Sequence, residues 1–86
     1  MGKKNRIKKP TALLAQAKAH RRLVETYGKQ SPELRKHWER EAENLEKRAA
    51  GLMENLPEVY IEEIESRSNE EAEKILGKKR MKLQRG

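Results

Sequence analysis

Leu34, Trp38, Ala42, Leu45, Ala49, Leu52 and Leu56 recur at intervals of three and four residues, a spacing that gathers them into one narrow stripe along an α-helix. Glu, Arg, Lys and Asn fill most positions between them. Ser31 suits the N-cap, and Pro32 suits the first helical position, where its missing amide hydrogen would have had no intrahelical partner. The pattern predicts one continuous helix ending near Leu56, a 25-residue rod of about 37 Å around which the other segments are arranged. Gly51 falls inside it, where glycine costs about 1 kcal/mol relative to alanine.

Little else in the chain is built to bury surface. Of 86 residues, 34% are apolar and 41% charged, there is no Phe, and many apolar positions are Ala. One domain with a thin core is the expectation, completed by self-association or by docking on a larger partner. The absence of cysteine excludes disulfide and thiol chemistry. With no run of about 20 apolar residues and no secretory pattern at the basic N-terminus, the expected setting is soluble and intracellular, in the cytoplasm or nucleoid, or the nucleus of a eukaryote.

Read in order, the chain predicts an all-α fold. Residues 1–10 form a basic arm expected to be disordered, because five like charges repel and little apolar surface is available to bury. Pro10 holds Lys9 extended, and Thr11 caps a first helix running to Tyr27, with Gly28 just past its end. Leu13, Ala17, His20, Val24 and Tyr27 make its apolar face, widened by Leu14 and Leu23. The short link to Ser31 makes the first two helices an antiparallel hairpin, with Trp38 in its core and a third helical segment covering Leu45 to Leu56. Residues 58–76 fit either one helix or two. The capping-box spacing of Ser68 and Glu71 favours two, with Gly77 ending the second and a basic tail at 77–86.

Charge is the strongest functional signal. Lys3, Lys4, Arg6, Lys8 and Lys9 give the N-terminal ten residues +5, and Lys78, Lys79, Arg80, Lys82 and Arg85 give the C-terminal ten +5. The net charge is +7, so residues 11–76 carry −3. Lys18, Arg21 and Arg22 add a compact basic patch on the first helix. Dispersed cations suit a phosphate backbone, since neutralising phosphates releases counterions without demanding precise geometry. The expected function is a non-sequence-specific DNA- or RNA-binding accessory or architectural protein, with Lys18, Arg21 and Arg22 orienting the contact and the arms adding affinity. Base-specific reading is disfavoured, because the second helix alternates acids and bases and Pro10 interrupts any continuous basic reader.

The alternative is a small helical adaptor or inhibitor. Seven glutamates between residues 58 and 73 make an acidic surface, and Leu45, Leu52, Leu56, Val59, Tyr60, Ile75 and Leu76 are the candidate protein-contact residues, in a homodimer or a larger assembly. Catalysis and cofactor binding have no support. Adjacent glutamates such as Glu62 and Glu63 point in different directions on a helix, no glycine-rich phosphate loop occurs, and His20 and His37 lack metal-ligand spacing. The run from Trp38 to Arg48 is superficially similar to the last long helix of HMG-box proteins, but the aromatic residues of that core have no counterpart, and no family is assigned.

Overall fold

A computed structural model describes the backbone of residues 3–85 and the side chains of residues 7–78. The described residues form three helices of similar length: α1 (Lys3–Tyr27), α2 (Pro32–Met53) and α3 (Glu58–Arg85). Among the described residues no helix is long and apolar enough to cross a membrane.

The α1–α2 link follows local chemistry. Ser31 is extended at φ −146°, ψ 103°, its Oγ accepts from the Leu34 amide at 3.4 Å, and Pro32 opens the helix. At the end of α1 the Gly28 amide donates to the Val24 carbonyl at 2.9 Å. A Cβ at Gly28 would collide with that carbonyl oxygen and crowd the Arg35 side chain, so the turn needs glycine for space. Gly51 lies inside α2 as expected, but the helix stops at Met53 rather than Leu56. Pro57 stands immediately before α3, its carbonyl accepting from the amides of Tyr60 and Ile61 at 3.0 and 3.2 Å.

Four expectations need correction. First, α1 and not α2 is the central element: it packs against both other helices, which barely touch each other. Alanines on two sides of α1 explain this. Thr11, Ala15, Ala19 and Leu23 form one buried row spaced by four residues, and Pro10 and Ala17 are buried some 160 to 180° away around the helix. Small side chains let two neighbours approach, whereas α2 has a single stripe. Second, α2 is the shortest helix, not the longest.

Third, residues 58–76 lie in one helix that continues through Gly77. Ile64, Ser68, Ala72 and Leu76 form a buried row with the same spacing of four as the row on α1, and a break at Ser68 would interrupt it. Ser68 is not a cap; its Oγ donates to the Glu65 carbonyl within the helix at 2.8 Å. Fourth, the described parts of the two charged ends, residues 3–10 and 77–85, are helical rather than disordered arms. Pro10 lies inside α1, where it is buried, and Thr11 is an interior residue rather than a cap.

Directions follow from the contacts. Arg21 meets Glu46, and Trp38 packs against the cluster of Ala19, Leu23 and Leu76, so α1 and α2 run antiparallel. Lys18 meets Ser68, Arg22 meets Glu73 and Leu23 meets Leu76, so α1 and α3 run parallel. The result is a slab of 42 × 22 × 17 Å with α1 in the middle.

Candidate functional site

Lys18, Arg21 and Arg22 are sequence neighbours, yet the helix sends them different ways. One residue is about 100° of rotation, so Arg21 points towards α2 while Lys18 and Arg22 point towards α3. Arg21 makes a two-pronged contact with Glu46, Nε to Oε2 and Nη2 to Oε1, each 2.7 Å. Hydrogen bonding between the two groups raises the Arg21 pKa and lowers that of the Glu46 carboxyl, against a smaller opposing effect of burial. Arg22 Nη2 lies 3.3 Å from Glu73 Oε1.

Lys18 is the most fully engaged cation of the three. Its Nζ donates to Ser68 Oγ and Asn69 Oδ1, each at 2.7 Å, and to the Glu65 carbonyl oxygen at 3.2 Å. Three ammonium protons meet three acceptors, filling the donor capacity of a lysine. The expected basic patch is therefore an interhelical seam. The open groove of about 460 Å³ beside it mixes these three cations with Glu25, Glu70 and Glu73, a lining with no net preference for an anion.

The cationic ends are arranged differently. Lys8, Lys9 and Lys78 are exposed and make no ion pair within 4 Å among the described residues. The side chains of Lys3, Lys4, Arg6, Lys79, Arg80, Lys82 and Arg85 lie outside those described. Because α1 and α3 are parallel, the start of α1 and the end of α3 fall at opposite ends of the 42 Å axis. Near the first of these poles, Ile7, Lys8, Thr11 and Ala12 share a depression of about 780 Å³ with Glu63, Glu70 and Glu71. The acidic half of α3 therefore lies beside the basic start of α1.

The candidate protein-contact residues divide by burial. Leu76 is 3% exposed in the core with Ala19 and Leu23, and Ile75 packs against that cluster, so neither offers a free surface. Leu56 and Tyr60 are half-buried near the α2–α3 turn, while Val59 is 70% exposed. On α2, Leu45 is half-buried and Leu52 is 44% exposed, because α3 covers α1 rather than the far end of α2. Sequence reasoning missed Glu46, Ser68 and Asn69 as partners of the basic residues, since 25 to 51 residues separate each pair. The shared spacing of four in Thr11–Ala15–Ala19–Leu23 and Ile64–Ser68–Ala72–Leu76 was the available signal.

Among the described residues no group of three or more His, Cys, Asp or Glu side chains is placed to hold a metal ion. Comparison with protein-family models, with curated proteins and with solved structures returns no match.

Proposed function

We propose that the protein binds DNA or RNA backbones without strong sequence preference, as an accessory or architectural component, and that it does so through its two poles. The carrying observation is the distribution of charge along the chain, with Lys8, Lys9 and Lys78 exposed and without an ion pair among the described residues. Lys18, Arg21 and Arg22 are engaged between helices, while +5 resides in each terminal ten residues of a chain whose body carries −3. The contact therefore relies on the ends and not on the first-helix patch. A 42 Å separation corresponds to roughly 12 nucleotide steps at about 3.4 Å each, so both poles can reach one stretch of duplex or bridge two strands.

Salt dependence tests this directly. Five phosphate contacts on duplex DNA give a slope of about −4 to −5 in log affinity against log salt. Deleting the termini would remove Ile7, which is buried, so neutralisation is the cleaner variant. Replacing Lys3, Lys4, Arg6, Lys8 and Lys9 with Gln, or the five C-terminal cations likewise, is expected to flatten the slope. Both sets together are expected to abolish binding while helix content by circular dichroism is retained. Undiminished binding by the doubly neutralised chain would overturn the proposal.

One observation favours the adaptor reading as a second role. Glu58, Glu62, Glu65 and Glu70 are exposed along α3 without an ion pair among the described residues, and Val59 beside the first two is exposed as well. A salt-insensitive complex with one protein, and none with nucleic acid, would favour that class.

A further inference from the structure

The sizes of the buried and exposed side chains on α2 are inverted. Its buried residues are Ala42 and Ala49, turned towards α1, while its larger apolar groups lie on the adjoining row and are at most partly covered, Trp38 by its contact with the α1 core. Leu34 is 47% and Leu52 44% exposed, and Trp38 and Leu45 are half-buried. In order, that row reads Leu34, Trp38, Glu41, Leu45, Arg48, Leu52, with Leu56 in the turn beyond. The steps of four and three keep it on one side of the helix.

The row is self-complementary when reversed about Leu45. Leu34 and Leu56 are equidistant from Leu45, as are Trp38 and Leu52, and Glu41 and Arg48 stand on either side at nearly equal distance. Glu41 is half-buried and Arg48 exposed, and neither has an ion pair among the described residues, although Arg35–Glu39 and Lys47–Glu43 on the same helix do. A two-fold interface requires this symmetry, because each contact from one copy to the other must occur twice.

We infer that α2 pairs antiparallel with α2 of a second copy, about a two-fold axis close to Leu45, with each Glu41 meeting the partner copy's Arg48. The apolar ends of the row then cover each other, Leu34 and Trp38 of one copy against Leu52 and Leu56 of the other. Nothing in this pairing requires a nucleic acid. It stands or falls separately from the polyanion reading, and it leaves both poles of each copy open.

Mass and geometry in solution test it. The full chain is expected to sediment at twice its 10.1 kDa monomer mass at high micromolar concentration, and a monomer there would overturn the inference. Glu41→Arg alone, or Arg48→Glu alone, is expected to raise the dimer dissociation constant about tenfold, and the double exchange to restore it. Failure of the double exchange to restore it would overturn the register. The chain has no native cysteine, so single replacements give clean cross-linking. Leu45→Cys, beside the axis, is expected to form a linked dimer on oxidation. Leu34→Cys is expected not to, since its two copies would stand about 33 Å apart at 1.5 Å per residue. Linkage through Leu34→Cys in preference to Leu45→Cys would show a different interface.

Discussion

At the scale of single residues, the described packing between α1 and α3 contains a defect at Thr11. Thr11 is 8% exposed and its Oγ1 is buried without a hydrogen-bond partner. A buried hydroxyl that gives up water and gains nothing costs about 1–3 kcal/mol. Thr11→Val keeps the shape and removes that cost, so it is expected to raise the unfolding midpoint, corresponding to about 1 kcal/mol by thermal or urea denaturation. The Arg21–Glu46 pair gives a second prediction. The Glu46 carboxyl is depressed in the folded chain, so its contribution is present above the ordinary carboxylate range and is lost as pH falls through the folded value. Arg21 is raised and stays charged throughout, adding nothing to that window. Both side chains are more than a third exposed, at 51% and 38%, which limits the effect to less than about 1 kcal/mol. Glu46→Gln is expected to lower stability at neutral pH and to flatten its fall below about pH 4, seen in urea midpoints across pH. Ser31 and Pro32 were legible because a cap is written in consecutive residues. The same local logic makes Thr11 after Pro10 look like a cap, and only the helix continuing upstream to Lys3 shows that it is interior.

At the scale of elements, the sequence signals that failed were the punctuation marks. Gly77 resembles a helix stop and Pro10 a helix boundary, yet α3 runs through the first and α1 through the second. Local preference is worth about 1 kcal/mol for a glycine and about 3 for a proline; at Pro10 the burial of its own ring and of Ile7 offsets part of that cost. Gly77 makes the difference measurable by sign. It has no positive φ, and a Cβ there would meet nothing within 4 Å. Gly77→Ala is therefore expected to stabilise the chain by about 0.5–1 kcal/mol, whereas a left-handed capping glycine would lose stability on the same change. Gly51→Ala in α2, equally open, is the internal control and is expected to stabilise by a similar amount. The α2 stripe itself was legible from its spacing. What was not legible was which row would be buried, since that depends on α3 choosing the alanine-rich side of α1.

At the scale of the molecule, the two poles have the same charge but opposite helix ends. The basic start of α1 has no acidic residue in its first turn, so its cations sit at the positive end of the helix dipole, where they are destabilising. The basic end of α3 sits at the negative end of its own dipole, where cations are favourable. A separation near 42 Å is several times the screening length of about 8 Å at physiological salt, so the poles do not repel each other appreciably. Each responds to its own helix. Charge reversal should therefore have opposite effects on stability at the two ends: Lys3→Glu with Lys4→Glu is expected to raise helix content and stabilise by about 0.3–1 kcal/mol per residue, and Lys82→Glu with Arg85→Glu to lower both by a similar amount. Affinity for a polyanion is expected to fall in both variants, because phosphates respond to the sign of the charge and not to the direction of the helix beneath it. Measuring stability and binding on the same two variants separates folding effects from contact effects. If affinity rose or fell with stability across the pair, the poles would be acting through the fold, and the direct phosphate contact proposed for them would be lost.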